Sequence, residues 1–140
     1  MGPDARPRPL GGSVSVEDLL AAARARLERV EPDEALAAMR DDRAVLVDIR
    51  SESQRAADGV VPEAAFVARN VLEWRLDPQS PWRDPELART DRRIIVMCNE
   101  GYQSSLAAAT LQELGHTNAT DLVGGFQAWR GAGLPVVADA

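Results

Sequence analysis

The chain's only cysteine, Cys98, sits in the segment IIVMCNEGYQSSLAAATLQEL, Ile94 to Leu114, between an apolar run and a helical pattern. A thiol is a nucleophile only as its thiolate, so the surroundings must supply either a base or donors to the anion. The only histidine, His116, lies past the far end of the helix that the pattern from Ser104 to Leu114 predicts. Ten residues of helix span roughly 15 Å, which argues against a Cys–His dyad. Donors remain. Asn99, Glu100, Gly101, Tyr102 and Gln103 carry no periodicity, and Ser104 and Ser105 open the helix. A strand end, a tight loop and a helix N-terminus together aim main-chain N–H groups and the positive end of a helix dipole at one point. Gly101 permits the positive φ that such a cradle needs. The expectation is a Cys98 thiolate held by backbone amides without a base. The competing reading is ordinary: an isolated cysteine is often buried, inert filler. Its place between strand and loop, rather than within the strand, favours chemistry.

The elements around the loop follow from hydrophobic patterning. Val45, Leu46, Val47 and Ile49 around Asp48 form an apolar run of strand length, which suits a central parallel strand buried on both faces. Ile94–Met97 is equally apolar, and Ala64–Ala68 and Ala119–Val123 are further strand candidates. Helical patterns fall over residues 15–30, around Ala35, Leu36 and Met39 behind Pro32, and over 51–58, 86–89, 104–114 and 126–131. Ser15 with Asp18 three residues on reads as a capping box. Alternating strand and helix signals predict an α/β domain around a mostly parallel sheet. Residues 1–14, rich in Pro and Gly, read as a disordered leader, and 15–140 as one domain with the helix of 15–30 as an extension. In such a sheet ligands bind beyond the carboxyl ends of the strands, where both Cys98 and the Asp48–Arg50 pair fall.

Composition narrows the function. The net charge of -6 opposes nonspecific nucleic-acid binding. All 16 basic residues are arginine, which excludes lysine Schiff-base and PLP chemistry and suggests a GC-rich bacterial genome. One Cys and one His cannot supply the usual zinc ligands, so neither metal nor cofactor is expected. No window is apolar enough to span a membrane. A lone cysteine with no intrachain partner points to a reducing cytoplasm.

Four motifs in order carry a resemblance: Val47-Asp48-Ile49-Arg50, Gly59-Val60-Val61-Pro62-Glu63-Ala64, the loop from Cys98 to Ser104, and Gly124-Gly125-Phe126-Gln127-Ala128-Trp129. Together, from about Val30 to Val137, they resemble a single-domain rhodanese. That resemblance implies a five-stranded, mostly parallel sheet with helices on both faces. It also implies a sulfurtransferase: Cys98 would take the outer sulfur of thiosulfate or a persulfide donor, carry it as a persulfide, and yield it to cyanide, a thiol or a protein acceptor. The loop amides of residues 99 to 104 would hold the anion. The sequence departs from the pattern at Gln103, where arginine is common, and at Glu100, where a basic residue is common. A loop with a carboxylate and no cation suits a doubly charged thiosulfate poorly. Val60 and Glu63 replace the His and Gly of the usual turn.

Supporting residues have two readings each. Asp48 can cap the turn after its strand; Arg50 can pair with it or meet an anionic donor. The Ser104 and Ser105 hydroxyls can cap the helix or reach the bound sulfur. Tyr102 can flank the pocket mouth, and Arg69 and Arg75 are candidates to offset Glu100. Trp129 reads as core, and Trp74 and Trp82 as a surface loop that can border the site. Three rival functions use the same residues: a cysteine phosphatase, which needs a longer loop with a clamping arginine; a non-catalytic rhodanese-like docking module; and a sulfur carrier or redox sensor.

Overall fold

In the computed structural model, which describes residues 13–139, the apolar runs become the centre of a parallel sheet. Strands β1 (Val45–Asp48), β2 (Ala65–Phe66), β3 (Ile94–Met97) and β4 (Thr120–Asp121) lie in the order β2-β1-β3-β4, all parallel. Alternation of side chains across the pleat splits the core into two layers. Val45 and Val47 of β1 join Ile94 and Val96 of β3, with Cys98 beyond it, on one face. Leu46, Ile95 and Met97 pack on the other with Phe126 and Trp129. All eight residues of β1 and β3 are buried, which is why these strands read as continuous apolar runs. From β1 the chain crosses to β2 on one side, and from β3 to β4 on the other. The carboxyl ends of the two central strands therefore flank a switch point, where such sheets bind ligands.

The fifth strand implied by the resemblance is absent among the described residues; it survives as one bridge between Val30 and Leu122. Val30 exchanges bonds with the Asp121 carbonyl (3.1 Å) and the Val123 amide (2.9 Å). Extension stops there because Glu31 is already the cap of the next helix and Pro32 has no N–H to give.

Helices cover both faces, as expected: α1 (Val16–Arg24), α2 (Pro32–Asp41), α3 (Glu52–Asp58), α4 (Leu72–Leu76, entered through a single 3₁₀ turn), α5 (Gln103–Glu113) and α6 (Gly125–Gly131). The capping box at Ser15 forms, with reciprocal bonds of 3.0 and 3.1 Å to Asp18, and Pro32 takes the first helical turn of α2. Helix α1 ends at Arg24, not near residue 30, and packs along α5. That contact explains why Ala107, Ala108 and Ala109 of α5 are all buried, where a single sheet-facing stripe was expected. A turn over residues 85–87 and a bend at Ala88 stand in place of the helix expected over 86–89; the Leu87 and Ala88 amides close onto Asp84 behind Pro85. Glu63, at the position where the family pattern has Gly, adopts φ +70, a left-handed conformation that costs a non-glycine residue about 1–2 kcal/mol. The expected leader, residues 1–14, lies outside the described residues as far as residue 12. Among the described residues no helix is long and apolar enough to cross a membrane.

Candidate active site

The loop after β3 folds around the sulfur. The Gly101 amide donates to Cys98 Sγ at 3.1 Å and the Ser104 amide at 3.4 Å. An amide from the middle of the loop and one from its end can converge this way because Gly101 takes φ +89, and a Cβ there would lie 2.7 Å from the Gly124 nitrogen. The outer side of the loop is held equally firmly. The Phe126 amide donates to the Cys98 carbonyl (2.9 Å) and the Gln127 amide to the Asn99 carbonyl (3.1 Å). Gly125 makes this approach possible, since a Cβ on it would meet the Cys98 oxygen at 2.5 Å. Gln127 also reaches the Asn99 side chain (3.0 Å). The glycine pair and the Phe-Gln that follow it thus act as a backing plate for the loop, with their amides taking its outward carbonyls.

Cys98 is only 7% exposed and belongs to the apolar core cluster, yet it also lines a pocket of about 720 Å³. The two facts agree if its remaining surface is the pocket floor. Ile49, Phe66 and Asn70 supply walls, with Tyr102 and Gln103 on the loop side. Charges of both signs stand around it: Glu52 and Glu100 against Arg50 and Arg69.

The expected supporting residues take up definite roles. Asp48 and Arg50 pair bidentately with no side-chain exposure on either (Nε–Oδ1 3.1 Å, Nη2–Oδ2 2.9 Å), and Arg55 adds a third bond to Oδ2 at 2.7 Å. The Arg50 guanidinium also donates to the Gly59 carbonyl and lies 3.8 Å from the centre of the Phe126 ring. Its Nη1 has no partner. Arg50 is therefore a buried strut beside the pocket wall, joining β1, the Gly59 turn and α6; of its two readings the pair with Asp48 is the one that forms, buried and not at the surface. Ser104 and Ser105 turn their hydroxyls away from the sulfur, to Asp121 Oδ2 at 2.7 and 2.8 Å; only the Ser104 main chain meets Cys98. Tyr102 is exposed at the pocket mouth. Arg69 reaches the pocket wall but is held by Glu73 (2.9 Å). Arg75 does not reach it, bonding instead to the Trp82 carbonyl (2.7 Å). Trp74 and Trp82 are exposed, and neither lines the pocket. Trp129 is fully buried with its indole N–H on the Pro135 carbonyl (2.8 Å). His116, also fully buried, donates from Nε2 to the Leu76 carbonyl (2.7 Å), which ties α4 to the end of α5 and leaves it no part at the sulfur.

Three residues at the loop were missed in the sequence: Asp121, Arg24 and Arg29. Asp121 is fully buried and takes the two serine hydroxyls and a bidentate contact from Arg29 (2.9 and 3.2 Å). A carboxylate next to the apolar Leu122-Val123 was a usable hint of a paired strand-end acid, by analogy with Asp48. Arg24 and Arg29 lie 77 and 72 positions from Gly101, and nothing in their spacing points to the loop.

The chain is similar to known proteins over most of its length. Residues 31–132 match the family described as the rhodanese-like domain. A thiosulfate sulfurtransferase GlpE of Haemophilus influenzae is 38% identical over 93 residues, covering 66% of this chain and 79% of its own length. A sulfurtransferase of Allochromatium vinosum is 33% identical over 94 residues, 67% of this chain and 78% of its own. A solved structure from Rhodopseudomonas palustris, described as a protein of unknown function and possible tyrosine phosphatase, superposes with a TM-score of 0.82 at 31% identity, covering 95% of this chain and all of that one.

Proposed function

The chain belongs to the family of rhodanese-like domains, and from that premise we propose that it is a sulfurtransferase working through a Cys98 persulfide. The observation that carries the reading is the convergence of the Gly101 and Ser104 amides on Sγ at the floor of an open pocket. Donors fixed in place before reaction stabilise a negative sulfur at no reorganisation cost. The Cys98 thiolate attacks the outer sulfur of the donor. An Sγ–S bond forms as the donor's bond to that sulfur breaks, releasing sulfite from thiosulfate or a thiolate from a persulfide. The amides of Asn99, Glu100, Tyr102 and Gln103, which have no protein acceptor among the described residues, are available to the outer sulfur of the resulting persulfide anion. An acceptor, either a small thiol, cyanide or a protein thiol, then attacks that sulfur and restores the Cys98 thiolate. This is covalent catalysis with one nucleophile and no general base.

Asp48 and Arg50 serve the site by fixing its wall. The pocket is far larger than a thiosulfate ion needs and carries Glu100 at its mouth, so an organic persulfide fits it better as donor. Such a cysteine keeps its thiol free in a reducing compartment, and the cytoplasm is the proposed location. The phosphatase description belongs to the Rhodopseudomonas palustris protein; here no guanidinium lies within the cysteine loop, and the sulfur is met by amides alone. Steady-state turnover tests the proposal. With a sulfane donor and cyanide, wild type forms thiocyanate and Cys98→Ser forms none. Hydrolysis of an aryl phosphate without thiocyanate formation would replace this reading with the phosphatase one.

A further inference from the structure

Three carbonyls of the cysteine loop are anchored on its outer side. Two belong to Cys98 and Asn99 and are taken by α6 amides. The third, at Gly101, is bound by two guanidinium groups: Arg24 Nη2 at 2.7 Å and Arg29 Nη2 at 2.9 Å. In a planar trans peptide the N–H points opposite to the C=O. Anchoring the Gly101 oxygen outward therefore turns the Tyr102 amide to the opposite, inner side of the loop.

Arg24 grips the loop at two more points. Its Nε donates to the Ser105 hydroxyl (3.0 Å), and its guanidinium stands 5.6 Å from the centre of the Tyr102 ring. Arg29 is itself fixed by Asp121, which also holds Ser104 and Ser105. Neither arginine lies within residues 31–132, the stretch that matches the family; they come from α1 and the link after it. The charge balance matters as much as the geometry. Asp121 neutralises Arg29, but Arg24 makes no ion pair among the described residues. A half-buried cation is thus bonded directly to a loop whose own residues include Glu100 and no cation.

We propose that Arg24 and Arg29 are positioning residues that complete the cysteine cradle from the N-terminal segment. By clamping the Gly101 carbonyl they orient the Tyr102 amide inward, polarise its peptide, and lend the loop the positive charge that Gln103 does not supply. Arg24 carries the electrostatic part and Arg29 the mechanical part.

The inference rests on the loop being the reactive element, but its test needs no sulfur transfer. The alkylation rate of Cys98 by iodoacetamide is measured across pH on the full-length chain, well below each variant's melting temperature. Arg24→Gln slows alkylation at neutral pH about fivefold and moves its pH profile upward, because the thiolate has lost fixed positive charge. Arg24→Lys, which keeps the charge, restores most of the rate. Arg26→Gln makes the same charge change two residues away, where the guanidinium reaches Glu113 and the Ala109 carbonyl, and its profile superposes on wild type. Arg24→Met, which keeps the apolar stem, carries the same expectation should the Gln variant fail to fold. A profile for Arg24→Gln or Arg24→Met that coincides with wild type, or an equal displacement in Arg26→Gln, overturns the proposal. If the profiles move as stated while no donor ever delivers sulfur, the clamp stands and the sulfurtransferase reading falls.

Discussion

Replacing Asp48 with alanine tests the buried arginine strut beside the site. The Asp48 carboxylate accepts four bonds: the Arg50 amide and Nε on Oδ1, and Arg50 Nη2 and Arg55 Nη1 on Oδ2. In Asp48→Ala the Arg50 guanidinium, with no exposure of its side chain, keeps only the Gly59 carbonyl and the Phe126 ring face. Removing one partner of a buried ion pair costs about 3–5 kcal/mol. Arg55 is 14% exposed and can turn to water or to Asp139, 3.7 Å away, so its loss adds little. Against a total stability of about 5–15 kcal/mol, the expected loss is a large fraction, and it lowers the melting temperature by roughly 10–20 °C. Urea unfolding of wild type, Asp48→Ala, Arg50→Met and the double variant reads it, with an unchanged slope confirming that the native state alone is affected. The double variant buries no lone charge, so it is less destabilised than the two single losses summed, by about 1–3 kcal/mol. A cost below about 1 kcal/mol for Asp48→Ala, or strict additivity in the cycle, would refute the strut.

Two further predictions concern the loop. Gly101→Ala meets a φ of +89 and backbone atoms of Gly124 at 2.7 and 3.1 Å, so it costs about 2–5 kcal/mol and displaces the amide from Sγ; thermal melts and Cys98 alkylation both register it. Glu100→Gln removes the loop's carboxylate and lowers the KM for thiosulfate about two- to fivefold at low salt, an effect that shrinks as salt rises; an uncharged trisulfide donor shows no such change.

How much of this was legible depends on range. The central strands could be read because Val45–Val47 and Ile94–Met97 are buried on both faces and have no polar alternation to confuse them. The cradle was legible because one cysteine stands where a strand gives way to a helix. The pairing of Arg50 with Asp48 was one of its two readings, but its full burial was not legible, because that depends on the Gly59 carbonyl and on Phe126, far along the chain. The serine hydroxyls were expected to cap the helix or reach the sulfur, and Asp121, 17 positions from Ser104, takes them both. Helix α4 is only five residues long, too short for periodicity, although Leu72 and Leu76 stand four apart and both are buried. The clamp of Arg24 and Arg29 is the extreme case: it joins positions 77 and 72 residues apart, a pairing that only the packing of α1 on α5 creates.

Intact-mass spectrometry after brief exposure to a polysulfide or thiosulfate tests the central claim most directly. Wild type gains one sulfur atom, loses it on addition of cyanide, and Cys98→Ser gains nothing. A wild-type mass that stays unchanged with every sulfane donor, or an adduct that persists in Cys98→Ser, would contradict the account.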